Sequence, residues 1–141
     1  MFTNILLPID PNHDASWRKA LPMALELAGA TGRVHVLGVV HDLGSAMLAS
    51  YLPDGFERQA LERMERDMEA FVAANVPASA KVSPEVGHGH VPEAILAKAG
   101  KLGCDLIVMA SHPPDDLRTF LVGSYADKVV RHSEIPVLVV R

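Results

Sequence analysis

Leu106-Ile107-Val108-Met109-Ala110 runs into Ser111-His112-Pro113-Pro114-Asp115-Asp116, then into Gly123-Ser124, and the chain closes on Pro136-Val137-Leu138-Val139-Val140. A short apolar run, a polar loop bearing prolines, a helical segment and a second apolar run spell strand, loop, helix, strand. The helical segment is read as opening at Gly123-Ser124 and stopping near Ser133. A parallel strand whose carboxyl end meets a loop and a helix start is where α/β proteins hold anions. Helix-start N–H groups and the helix dipole both point at that spot. The segment makes this chain a candidate nucleotide binder.

The upstream chain repeats the same alternation. Asn4-Ile5-Leu6-Leu7-Pro8-Ile9-Asp10 reads as a strand ending in the turn formers Asp10, Pro11 and Asn12. Asp14 or Ser16 is placed to cap a helix running to Gly29, with Leu21, Ala24, Leu25 and Ala28 on one face and Pro22 expected to bend it. Arg33-Val34-His35-Val36-Leu37-Gly38-Val39-Val40 is a second strand, followed by a loop over residues 41–55 that is long enough to be functional. The spacing of Leu61, Met64, Met68, Phe71 and Val72 predicts a helix over Phe56–Asn75, ended by Pro77. Residues 80–86 form a weaker strand, for which Pro84 favours an edge position. Val91-Pro92-Glu93 starts another helix, with Ile95, Ala99 and Leu102 inward and Gly103 closing it. Five strands alternating with helices predict one α/β domain over residues 1–141, a doubly wound parallel sheet with helices on both faces.

Composition agrees. The chain has 141 residues and is 49% apolar, yet only 5% aromatic, so Val, Ile, Leu, Met and Ala must build the core. That suits a buried parallel sheet. Net charge is −4 with the charges interspersed, which gives no electrostatic support to a nucleic-acid or membrane-surface role. No stretch reaches the roughly 18–20 apolar residues of a membrane span, and no targeting pattern is visible, so a cytoplasmic location is expected. Cys104 is the single cysteine, which excludes an internal disulfide and reads as a small buried hydrophobe.

The order of elements, with Pro8-Ile9-Asp10 after the first strand and Gly123-Ser124 opening the last helix, resembles the universal stress protein family over essentially the whole chain. Further points of likeness are Leu37-Gly38-Val39-Val40, Gly87 with Ile95, the run from Asp105 to His112, and Val130-Arg131-His132-Ser133 before the closing strand. The resemblance implies a five-stranded Rossmann-like fold of the adenine nucleotide alpha hydrolase type. It also implies a homodimer and bound ATP or AMP, with Mg as companion ion. In the nucleotide-binding branch the last loop runs glycine, two residues, glycine, nine residues, glycine, then serine or threonine. Here Ala110 and Pro113 stand at the first two glycine positions, while nine residues separate Pro113 from Gly123 and Ser124 follows. The wording is closest to a subgroup with a Ser-His-Arg-Pro loop, and Pro113 takes the place of the arginine. On this likeness the nucleotide residues are Pro8, Ile9, Asp10, Val39, Met109, Ala110, Ser111, His112, Pro113, Gly123, Ser124 and Tyr125. Pro136, Val137, Leu138, Val139 and Val140 would pair with their copies across a two-fold axis, which resolves an apolar strand left at a sheet edge.

Residue chemistry bounds this further. Gly123-Ser124 at a helix start could offer backbone N–H groups and a hydroxyl to phosphate, or simply form a cap. Asp10 could accept from a ribose hydroxyl or orient an Asx-turn, and Val39 could present its backbone to an adenine edge. Pro113 has no N–H, so it removes a phosphate donor. His88-Gly89-His90 has no further ligand at metal spacing, so no metal site is read there. Ser111, His112 and Asp115 lie too close together in one loop for a hydrolytic relay. No catalytic residue is assigned, and three functions compete: a nucleotide-sensing dimer with a regulatory protein partner, a nucleotide-free interaction protein, and a slow ATP hydrolase.

Overall fold

The computed structural model of the chain describes residues 2–41, 55–111 and 117–141, with the backbone alone described over 117–124. The elements are β1 (Asn4–Pro8), a 3-10 turn (Asp14–Ser16), α1 (Ala20–Ala28), β2 (Arg33–His41), α2 (Phe56–Asn75), β3 (Val82–Gly89), α3 (Val91–Leu102), β4 (Leu106–Ala110), α4 (Leu117–His132) and β5 (Val137–Val140). The strands stand in the order β3-β2-β1-β4-β5, and every pair is parallel. β3 and β5 are therefore the two edges, as Pro84 and the terminal apolar run led one to expect.

Alternation along the central strands builds two cores. Ile5 and Leu7 of β1, Val34 and Val36 of β2, and Leu106 and Val108 of β4 face one side. There they meet Ala20, Leu21, Ala24 and Ala28 of α1 and Met68 and Phe71 of α2. Leu6, Leu37, Ile107 and Met109 face the other side, against Ile95 and Ala99 of α3 and Ala126 and Val129 of α4. A central strand buried on both faces has no polar side to show, which is why these runs read as continuous apolar sequence. β5 differs, with all four residues only half-buried.

The amino end of the sheet is tied by Asp105. Its Oδ2 accepts from the Thr3 N–H at 2.9 Å and its Oδ1 from the Asn4 N–H at 3.0 Å, while its own N–H donates to the Asn4 carbonyl at 2.8 Å. Partial burial works against the charged carboxyl, but the bonds from Thr3 and Asn4 outweigh it and hold the group below its usual range. Nearby, burial first, with help from the charges of Asp105 and Glu85, pushes the Cys104 thiol up to about 11.

Several sequence expectations are corrected. Ser16 does not cap a long first helix. Its Oγ accepts the Asp10 N–H at 2.9 Å and lies within bonding range of the Asp10 and His13 carbonyls, and α1 begins only at Ala20. Pro22 is thereby placed in the first turn, where its missing N–H has no intrahelical partner to lose, and it does not act as a mid-helix bend. The third strand starts two residues later than expected and runs on to Gly89, taking in His88. The last helix starts at Leu117, so Gly123-Ser124 lies inside it and does not open it. The loop read over residues 41–55 lies outside the described residues except for its ends.

Candidate functional site

The chain winds from β1 outward to β3, returns to β4 beside β1, and continues the other way to β5. The point where the winding reverses is the gap between β1 and β4, and sheets of this kind receive ligands at the carboxyl ends of the strands there. The ladder there is short, because Pro8 faces β4 and has no N–H to continue it. β1 and β4 pair only at Ile5–Leu106 and Leu6–Ile107. Beyond that, β1 stays with β2 as far as Pro8–Leu37, and β4 stays with β5 as far as Ala110–Val140. The next amides bond to the outer neighbours: the Ile9 N–H donates to the Leu37 carbonyl at 2.9 Å and the Ser111 N–H to the Val140 carbonyl at 2.8 Å.

That pattern determines which main-chain groups face the crevice. Both peptide groups of one strand residue point to the same neighbour, and residues two apart point the same way. The Leu37 carbonyl faces β1, so the Val39 backbone also faces that side, past the end of the β1–β2 pairing. Ser111 faces β5, so the Ala110 backbone faces β1, beyond the last β1–β4 pair. Val39 and Ala110 thus turn backbone donors and acceptors toward the crevice. Ile9 is buried, Met109 is buried in the second core, and Pro8 is half-buried at the end of β1. No described residue other than glycine has positive φ, so the methyl of Ala110 costs its backbone nothing.

The other candidates are placed less favourably than the sequence suggests. Asp10 is exposed, but Oδ1 accepts the Asn12 N–H at 2.9 Å and Oδ2 lies 2.9 Å from His13 Nδ1. This is the Asx-turn arrangement, and it gives each carboxylate oxygen one partner within the chain. Gly123 and Ser124 fall in the second turn of α4, where helix geometry directs their N–H groups to carbonyls one turn back. The helix-start donors belong to residues 117–120 instead. His112 and Pro113 lie outside the described residues. Tyr125 is half-buried, and its hydroxyl lies 3.4 Å from His41 Nε2, bridging from α4 to the end of β2.

His41 and His13 are the residues the sequence reading missed as parts of this region. A histidine ending a strand and another just past the first βα turn were the available signals. Among the described residues no group of three His, Cys, Asp or Glu side chains is arranged to hold a metal ion. None of their helices is long and apolar enough to cross a membrane. A groove of about 270 Å³ between α2 and β3 is lined by Glu65, Glu69 and Glu85 together with Met68, Pro84 and Val86. It lies along the β3 edge, away from the β1–β4 gap, and its carboxylates repel an anion.

The model of the Universal stress protein family matches residues 1–141. The chain belongs to the universal stress protein family. Universal stress protein G of Escherichia coli O157:H7 is 31% identical over 143 residues, covering 100% of both chains. A universal stress protein family member from Burkholderia pseudomallei superposes with a TM-score of 0.72 at 26% identity, over 98% of this chain and 95% of that one. A universal stress protein family protein of Arabidopsis thaliana, with AMP bound, superposes with a TM-score of 0.63 at 16% identity, over 98% of this chain and 90% of that one. At that identity the likeness concerns the fold. The Rossmann-like universal stress protein architecture expected from the sequence is the one found.

Proposed function

We propose that this universal stress protein is a cytoplasmic homodimer that holds an adenine nucleotide, ATP or AMP, between β1 and β4 as a sensing ligand. Its occupancy is read by a regulatory protein partner, and turnover is not its purpose. The observation that carries this reading is the end of the β1–β4 pairing after Leu6–Ile107, beyond which the Val39 and Ala110 backbones are turned toward the junction of the two strands. A purine edge carries donors and acceptors of the kind such a backbone pairs with, and the AMP-bound relative supports the ligand class.

In this reading, among the sequence candidates that are described, those at the base end of the site are better placed than those at the phosphate end. The Gly123 and Ser124 amides are inside a helix and Pro113 has no N–H, while Asp10, the acceptor expected for a ribose hydroxyl, already takes contacts from Asn12 and His13. A hydrogen bond to a charged group is worth roughly 1.5–3 kcal/mol, so each lost donor weakens binding about ten- to a hundredfold. The same observations favour a second reading, a dimeric interaction protein that no longer binds nucleotide. A slow ATP hydrolase has no general base assigned among the described residues, and Mg has only the ligand's own phosphates to recommend it.

The test begins with purified protein, denatured, and its supernatant assayed for adenine nucleotide. Thermal shifts follow with ATP and AMP, each with and without Mg²⁺. A site at 100-fold saturation adds about 2.7 kcal/mol of apparent stability. No released nucleotide and no shift at millimolar ligand leaves only the interaction protein. Pro113→Gly should tighten binding if a missing donor is the defect, and phosphate release no faster than in Ser124→Ala rules out turnover.

A further inference from the structure

β3 is one open edge of the sheet, and its register fixes what it offers there. The Lys81 carbonyl accepts from the Val34 N–H at 3.0 Å, so the backbones of Ser83, Glu85 and Gly87 face β2. Those of Val82, Pro84, Val86 and His88 then face outward, and among the described residues they bond to nothing else in the chain. Alongside runs the groove of about 270 Å³, with Met68 at its floor, Pro84 and Val86 on one wall and Glu65 and Glu69 of α2 on the other. At the carboxyl end of β3, Glu57 Oε1 lies 2.6 Å from His88 Nε2 and ties α2 to the strand. Glu65 and Glu69 are exposed and have no ion-pair partner among the described residues, whereas Glu85 lies 3.4 Å from His35 Nδ1. By helical spacing Arg58 and Glu62 share this flank of α2 and offset each other, while Arg63 and Arg66 lie further round. Lys81 stands before the strand begins, and residues 42–54 bring Asp42 and Asp54 with no lysine or arginine. The edge therefore pairs open main-chain groups with two uncompensated carboxylates.

We propose that the β3 edge is a docking strand for an extended segment of a partner protein that carries lysine or arginine at alternate positions. The segment adds a strand to the sheet, its backbone pairing with Val86, His88 and the Pro84 carbonyl. Side chains of neighbouring strands share a face in register, so residues opposite Pro84 and Val86 turn toward α2 and bring their cations to Glu65 and Glu69. Pro84 removes one donor from the middle of the edge, which guards it against unselective pairing and leaves the groups on its carboxyl side open. Two copies of this edge are poorly matched, because pairing them sets carboxylates against carboxylates. The inference rests on the regulatory partner of the reading above and not on its nucleotide: it gives that partner a surface and a chemistry. Exposed ion pairs are weak singly, so two of them contribute about two- to twentyfold in affinity. Each main-chain bond contributes about two- to tenfold.

The probe is a capped peptide of alternating valine and lysine. One control carries glutamate for lysine, and a second keeps every lysine but replaces a central valine by proline, which breaks backbone pairing. Calorimetry in low salt should show the lysine peptide binding and both controls weaker by about fivefold or more. Glu65→Gln with Glu69→Gln, on an exposed helix flank, should weaken the lysine peptide about two- to twentyfold with far-UV circular dichroism unchanged. In NMR titration the Val86 and His88 amides should shift, and those of Val137 and Val139 at the opposite edge should not. Equal binding of the lysine and proline peptides, an unaffected glutamine variant, or shifts centred on β5 overturns the docking strand. So does a wild-type dimer that Val86→Pro turns into a monomer, since the edge then belongs to a second copy. Absence of peptide binding overturns the inference and leaves the nucleotide assay standing, while peptide binding without any nucleotide overturns only the ligand reading.

Discussion

A Cβ placed on Gly32 would stand 2.5 Å from the Ala28 carbonyl oxygen and 2.7 Å from that of Phe2. Both are backbone atoms and neither can swing aside, so Gly32 is required by the close approach of the α1 end to the start of the chain. Gly32→Ala should cost about 1–3 kcal/mol and lower Tm by roughly 3–10 °C in calorimetry; an unchanged Tm would contradict the packing described. Asp105 acts through charge. Its folded carboxyl is held below its usual range, so its contribution to stability is complete above the unfolded value near 4 and fades as the pH falls through the folded one. Asp105→Asn should lose roughly 1 kcal/mol at neutral pH. The gap to wild type in urea midpoints should close below about pH 4.

At the level of elements, α2 is a helix whose packing depends on a missing side chain. Gly38 of β2 leaves room for two thioethers: a Cβ there would stand 2.6 Å from Met64 Sδ and 2.9 Å from Met68 Sδ. Methionine is flexible, so the conflict is softer than at Gly32. Gly38→Ala should destabilise by about 1 kcal/mol. Combining it with Met64→Ala should cost less than the sum of the two single changes by roughly 0.5 kcal/mol or more, read from a double-mutant cycle of urea midpoints. Strict additivity would mean that α2 does not rest on β2 at this point. The same element logic explains the shortened first helix. Once Ser16 is committed to the Asp10 and His13 backbone, the chain needs a 3-10 turn before α1, and Pro22 becomes a first-turn residue.

For the whole molecule the open question is what covers β5. Pairing with β4 uses the Pro136 and Val140 carbonyls, so even-numbered residues point inward and the backbones of Val137 and Val139 face the free edge. A long apolar edge is an invitation to a second strand, and the proposed homodimer supplies one. Val139→Pro separates the two roles, because it deletes an outward N–H while sparing the bonds to β4. Sedimentation should show a dimer becoming monomeric with little loss of far-UV circular dichroism. A variant that stays dimeric would locate the contact elsewhere on the surface.

Periodicity and punctuation along the chain were enough to show the class of fold, the edge position of β3 at Pro84, the exact span of α2 and the Gly103 stop, because each is decided by neighbours within a few residues. The start of the last helix and the roles of Asp10, His13 and His41 were not legible in the same way. Nothing local says whether Asp10 will turn its oxygens to Asn12 and His13 or to a ligand, nor that the end of β2 will meet Tyr125, 84 residues away. Those outcomes depend on which strands lie side by side and where their hydrogen bonds stop. The β1–β4 ladder stops after two pairs at Pro8, whose missing N–H is plain in the sequence, but that Pro8 faces β4 and not β2 is decided only by the order and register of the strands.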